Sequence, residues 1–155
     1  MKIVIADYPE SMMPNHQLEK QVLTAGLPSC QVVIFSYHDD QRAAFLRELH
    51  DADALLTAFI KVDEAVFNAA PQLKVVSINA TGYDNVDLRA AKRHGVAVCP
   101  VGEYCTEDVA EFTITTMLAL VRNLKAYLTA VDQRHEWRYD YAQPNRRLSN
   151  MTLGI

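Results

Sequence analysis

Short aliphatic runs alternate with helical spacing along the first hundred positions of the chain. Lys2–Ala6 (KIVIA), Gln31–Phe35 (QVVIF), Ala54–Thr57 (ALLT), Leu73–Ile78 (LKVVSI) and Val96–Cys99 (VAVC) carry Val, Ile and Leu without polar alternation. That is the pattern of strands buried on both faces. Between them, Gln17–Ala25, Arg42–His50, Asp63–Ala69 and Leu88–His94 place apolar residues at helical spacing. Asp87 stands where its carboxylate can accept from the free N–H groups of the last of these helices. Gly95 can take the left-handed conformation that ends it. Parallel strands need crossover connections, and right-handed crossovers put helices on both faces of the sheet. The pattern therefore predicts a doubly wound α/β fold with about five parallel strands.

After Cys99 the period changes. From Thr106 onward Ala110, Ile114, Met117, Leu118, Val121, Leu124, Leu128 and Val131 follow one another in helical steps. They predict one long amphipathic helix of about 26 residues, a strut between two bodies rather than a cover for the sheet. Thr106 is the expected N-cap, with Glu107 and Asp108 suited to the positive end of the helix dipole. His135–Asn150, with Trp137, Tyr139, Tyr141, Pro144 and Arg146-Arg147, reads as an irregular connector, and Met151–Ile155 as the opening of another strand. A strand that begins at the last residue leads us to expect a truncated product.

Composition narrows the function classes. Of 155 residues, 50% are hydrophobic, which offsets the entropy of ordering and excludes a disordered chain. A net charge of −4 argues against a nucleic-acid or anionic-membrane partner. The longest greasy stretch, Phe112 to Val121, falls well short of a membrane span, and no signal segment opens the chain. Cys30, Cys99 and Cys105 are odd in number and show no tight C-x-x-C spacing, which predicts free thiols of a reducing compartment, so cytoplasmic location is expected. Five glycines are present, and no two fall close enough for G-x-G-x-x-G or a P-loop. His16, His38, His50, His94 and His135 lack metal-ligand spacing, no metal site is expected, and no serine sits in a hydrolase elbow.

Ligands of doubly wound sheets bind at the carboxyl ends of the strands, near the point where strand order reverses. Among those ends Asn79-Ala80-Thr81-Gly82-Tyr83-Asp84 turns on a glycine, so backbone N–H groups can approach a carboxylate without a Cβ in the way. The same residues also fit an ordinary tight turn in which Asp84 bonds its own backbone.

LKVVSINATGYDNVDLRAAKRHGVAVCPV (residues 73–101) resembles the strand, G-x-D-N-V-D turn, helix and strand of the D-isomer-specific 2-hydroxyacid dehydrogenases. EYCTEDVAEFTITTMLALVRN resembles that family's V-A-E segment and long helix, and RRLSNMTLGI its approach to the nucleotide-binding strand. Three motifs in order turn the reading of the Asn79–Asp84 loop toward function.

The resemblance implies a flavodoxin-like substrate domain over residues 1–101, a long interdomain helix with its leading loop over 102–135, and a connector plus the first strand of a Rossmann domain over 136–155. It implies that Ala80, Thr81 and Gly82 present backbone groups to the substrate carboxylate. Phe59, in the loop after the third strand, would line the substrate pocket, and Thr106 would approach a nicotinamide cofactor. The family's reacting arginine, glutamate and histidine lie beyond its glycine fingerprint, hence beyond residue 155, and none of the five histidines here is assigned a role. The implied activity is NAD(P)-dependent hydride transfer between a small D-2-hydroxy acid and its 2-keto acid. NAD is the expected cofactor, NADP is not excluded, a homodimer is the expected assembly, and the 155 residues alone are expected to be inactive. A dinucleotide-sensing protein of the transcriptional corepressor type, on the same fold, is the alternative.

Overall fold

The computed structural model describes residues 1–140 and 146–154. The chain divides into two compact units, Met1–Tyr104 and Cys105–Ile155.

The first unit is built on five strands: β1 (Lys2–Asp7), β2 (Gln31–Ser36), β3 (Ala54–Thr57), β4 (Val75–Ile78) and β5 (Ala97–Pro100). All pair in parallel, in the order β2-β1-β3-β4-β5, with Val4 opposite both Val33 and Leu55, and Val76 opposite Leu55 and Val98. The chain leaves β1 toward one edge, to β2, then returns across β1 to build the other half. Strand order therefore reverses between β1 and β3. Four helices make the crossovers: α1 (Gln17–Gly26), α2 (Arg42–Glu48), α3 (Glu64–Ala69) and α4 (Leu88–His94). Right-handed connections place α1 on one face and α2–α4 on the other.

The two faces are unequally covered, which modifies the expectation of strands buried on both sides. Phe45 of α2, Val66 and Phe67 of α3 and Ala90 and Ala91 of α4 are buried, whereas α1 buries no residue. Only β1 is buried almost throughout. In β3 and β4, Leu55, Thr57, Val76 and Ile78 are buried while Ala54, Leu56, Val75 and Ser77 are half-exposed. One sealed face carries the hydrophobic core around Val4, Phe45, Leu55, Phe67, Val76 and Ile78. Asp87 caps α4 by accepting from the Ala90 N–H, and Gly95 ends it at φ 70°, both as the sequence predicts.

In the second unit the helical stretch from Thr106 is divided into α5 (Thr106–Val121) and α6 (Leu124–Arg134). The single helix expected there is interrupted because Asn123 takes the left-handed conformation, φ 51°, with its N–H donating to the Leu120 carbonyl. Asparagine is among the few side chains that tolerate this conformation, and it is a recurrent helix terminator. The N-cap of α5 is Cys105, which makes no side-chain capping bond. Thr106, expected in that role, is the first helical residue, and Glu107 and Asp108 occupy the first turn as expected. Val109, Phe112, Ile114, Leu118, Leu120 and Leu124 are all exposed. No helix among the described residues is long and apolar enough to cross a membrane. Leu148–Asn150 form a 3-10 turn, and Met151–Gly154, expected to open a strand, are in no regular element. A strand exists by pairing, and no neighbour pairs with this stretch among the described residues. Tyr141, Pro144 and Ile155 lie outside the described residues.

Candidate functional site

The carboxyl ends of β1, β3 and β4 carry the residues that sequence reading singles out. In the loop after β3, Ala58 is buried, Phe59 is 60% exposed and Ile60 is fully buried. This loop is held from both sides. The buried Asp7 carboxylate at the end of β1 accepts from the Ala58 N–H (2.5 Å), the Phe59 N–H (3.2 Å) and the Tyr8 N–H (3.0 Å). Asn85 Nδ2 donates to the carbonyls of Ala58 (3.1 Å) and Ile60 (2.7 Å). A parallel bridge between Val62 and Val86, with bonds from Val62 N–H to Asn85 O and Asp87 N–H to Val62 O, extends the tie. The loops after β3 and β4 thus form one hydrogen-bonded body, and the Phe59 ring projects from it into solvent.

After β4 the chain leaves the sheet through Asn79, whose N–H donates to Thr57 O, and Ala80, whose carbonyl accepts from Val101 N–H. The next residues, Thr81 and Gly82, are exposed. None of the N–H groups of Ala80, Thr81 and Gly82 donates to a protein acceptor among the described residues. Gly82 does not adopt a left-handed conformation, and a Cβ added there would meet nothing within 4 Å. Neither backbone strain nor packing within the chain therefore calls for glycine at this position. Asp84 does not close the turn on itself; the fastening is done by its neighbour Asn85.

The α1 side of the same strand ends holds a pair that sequence reading left unassigned. His16 Nδ1 lies 3.0 Å from Glu19 Oε1, with side-chain exposures of 11% and 23%. Burial works against the Glu19 carboxylate, yet its backbone bonding and the His16 ring together hold it below the usual carboxylate range. His94, also unassigned, stacks on Phe67 and lies 3.0 Å from Glu64 on the far face of the fold. Thr106 lies at the start of α5, in the second unit. No group of three or more His, Cys, Asp or Glu side chains that could hold a metal exists among the described residues.

Of the sequence-selected residues, the first unit brings together Phe59, Ala80, Thr81 and Gly82 along neighbouring strand ends. Asp7 and Asn85, which hold the Ala58–Ile60 loop that carries Phe59, are not among the residues the sequence selects. Asp7 acts on residues 51 positions away. Asn85 was visible only as a letter of the G-Y-D-N-V-D turn.

These features define a doubly wound parallel-sheet protein whose strand ends offer a row of free backbone donors beside a clamped loop. The chain belongs to the D-isomer specific 2-hydroxyacid dehydrogenases, the catalytic-domain model of which matches residues 4–137. It is 39% identical to a glyoxylate reductase of Thermococcus kodakarensis over 84 residues, 54% of this chain and 25% of that one. To the glyoxylate reductase of Thermofilum pendens it is 38% identical over 98 residues, 61% of this chain and 29% of that protein. Among solved structures, an NAD-dependent formate dehydrogenase from Staphylococcus aureus in complex with NAD superposes with a TM-score of 0.72 at 26% identity, covering 89% of this chain and 43% of that one. A D-lactate dehydrogenase from Aquifex aeolicus, complexed with NAD and lactic acid, shares the fold with a TM-score of 0.70 at 22% identity, over 92% and 40% of the two chains. The chain thus spans between a quarter and under half of the length of these proteins. The corepressor alternative finds no support among them.

Proposed function

We propose that this chain supplies the substrate-binding part of an NAD-dependent oxidoreductase, which moves a hydride between the nicotinamide and a small D-2-hydroxy acid or its 2-keto acid. The carrying observation is the run of three N–H groups at Ala80, Thr81 and Gly82, free of protein acceptors, ending in a glycine that the fold itself does not require. Backbone donors in a row bind a carboxylate without side-chain charge, and a bare Cα lets it approach. Phe59, anchored through its backbone, forms the exchangeable wall of the pocket.

On this reading residues 1–101 are the substrate domain, 102–135 the interdomain helical segment and 136–155 the connector into a nucleotide-binding domain. Cofactor identity follows from family membership and from the NAD-bound formate dehydrogenase relative. The 155 residues contain no glycine-rich pyrophosphate cradle, so the only contact assigned to the cofactor here is Thr106. Bound NAD would supply the hydride acceptor, while this chain grips and orients the acid. The arginine, glutamate and histidine that react in the family are assigned to no residue here, and the 155 residues alone turn over no substrate. A cytoplasmic homodimer is the assembly we propose, formed in part through the exposed apolar positions of α5 and α6.

The test is NADH oxidation with glyoxylate, pyruvate and hydroxypyruvate, using the product of the intact coding region. Turnover is expected, and Gly82→Ala should lower kcat/KM by about tenfold or more, because its methyl group occupies the carboxylate's place. Absence of turnover with every acid, with NADH and NADPH alike, would overturn the proposal.

A further inference from the structure

One side chain of α2 reaches the far end of the loop after β3. Arg42, the first residue of that helix, lays its guanidinium over the buried Phe45 ring, with Cζ 5.8 Å from the ring centroid. Nη1 donates to the Lys61 carbonyl (2.8 Å) and Nη2 to Asp63 Oδ1 (2.7 Å). A planar fork stacked on a ring and bonded to two acceptors has little freedom left. Its bonds fall on either side of Val62, a fully buried residue whose main chain pairs with Asn85 and Asp87. The loop is thus held at Ala58 and Phe59 by Asp7, at Ala58 and Ile60 by Asn85, and at Lys61 by Arg42. Phe59 stands between the fixed points.

Asp63 separates this hold from ordinary helix stabilisation. It occupies the N-cap of α3 in extended conformation, where an aspartate commonly accepts from the N–H groups of the first turn. Asp87, at the same place on α4, does so. The Asp63 carboxylate makes no capping bond and turns instead to Arg42, 21 positions away, with Lys61 Nζ at 4.0 Å. A half-exposed ion pair contributes no more than the cap it replaces. α3 therefore gains nothing by it, and what is secured is the place of the guanidinium. The bond to the Lys61 carbonyl lies at the surface, where water can stand in for the donor. Loss of the guanidinium leaves no buried orphan there. It leaves the loop unpinned at one end.

We propose that Arg42 is a positioning residue for substrate binding: through the Lys61 carbonyl it fixes the far end of the loop whose Phe59 ring walls the pocket, and Asp63 holds the guanidinium in place. The assignment rests on the pocket role of Phe59 proposed above. Arg42 acts on the substrate only through the backbone that carries Phe59.

Arg42→Met keeps an apolar stem beside Phe45 and removes both donors. In the product of the intact coding region, KM should rise about tenfold for whichever of glyoxylate, pyruvate and hydroxypyruvate the wild type reduces most efficiently. The turnover number should stay within about twofold, because a displaced wall weakens ground state and transition state alike. Tm should fall by no more than about 4 °C, as expected for a half-exposed pair. In a Phe59→Ala background the same substitution should change KM by less than about twofold, since the wall through which Arg42 acts is gone. A KM unchanged by Arg42→Met, or a rise that persists undiminished beside Phe59→Ala, overturns the proposal. A wild type that reduces no 2-keto acid sinks the dehydrogenase reading instead. The hold on the loop is then decided by amide hydrogen exchange at Phe59 in the same protein. Arg42→Met should speed it about tenfold if the loop is pinned from Lys61, and an unchanged rate refutes the pin.

Discussion

Replacement of Asp7 by asparagine tests whether one buried carboxylate sets the loop after β3. Asp7 is 6% exposed and accepts two loop N–H groups, of which Ala58 belongs to a buried residue and Phe59 to an exposed one. The amide keeps the volume but loses the charge, and its single acceptor oxygen cannot serve the Tyr8 N–H and the two loop N–H groups at once. Whichever way it turns, one of these donors faces the amide's NH2 group. An orphaned buried donor costs about 1–3 kcal/mol, and hydrogen bonds to charged groups contribute about 1.5–3 kcal/mol each. We therefore expect a loss of about 2 kcal/mol for Asp7→Asn and about 3 for Asp7→Ala. For a protein of this size the smaller figure corresponds to a fall of about 4–8 °C in Tm. Urea unfolding measures the energy, and amide hydrogen exchange locates it. Protection at Phe59 should drop at least about tenfold, since 1.4 kcal/mol is one decade. Removing the opposing clamp with Asn85→Ala should raise exchange over the same segment. A cost below about 0.5 kcal/mol with unchanged exchange at Phe59 would refute the reasoning.

Four further outcomes are expected. Gly95, at φ 70°, should lose about 1–2 kcal/mol on substitution by alanine, whereas Gly82→Ala should change stability by less than about 0.5 kcal/mol in parallel denaturation curves. The Thr57 hydroxyl is buried without a partner among the described residues, so Thr57→Val should raise stability by about 1 kcal/mol in the same assay. His94 and Arg93 hold the Glu64 carboxyl below its ordinary value of 4.5, so its contribution is fully present above that pH and fades as pH falls through the lower folded-state value. The stability difference between wild type and Glu64→Gln should therefore shrink between pH 7 and strongly acidic urea titrations, and a constant difference would contradict the linkage. Leu120 is 73% exposed and lines two shallow grooves of the second unit, so sedimentation should show association of the chain, which Leu120→Glu weakens.

What the sequence made legible was whatever short-range physics decides. Aliphatic runs became strands within one or two residues, and Asp87 and Gly95 bracket α4 because capping needs only groups a turn apart. The helix from Thr106 was legible in its period but not in its break. The apolar spacing continues through Asn123 as if nothing happened, and only the tolerance of asparagine for a left-handed backbone hints at the interruption. The glycine turn at Ala80–Gly82 was visible as a loop ready for an anion. The fastening of the neighbouring loop after β3 was not, since Asp7 reaches Ala58 and Asn85 reaches Ile60 only after the sheet has formed. The His16–Glu19 pair sits three positions apart, a helical spacing equally common on inert surfaces.

The way the loop after β3 is tied down bears on how such a protein can change over evolutionary time. Asp7 and Asn85 grip Ala58, Phe59 and Ile60 solely by main-chain groups, and the Phe59 side chain takes no part in the grip. The scaffold is therefore indifferent to which side chain stands at position 59. A lineage can trade phenylalanine there for a smaller, larger or polar residue, and so sample new partners, while the fold bears almost none of the cost.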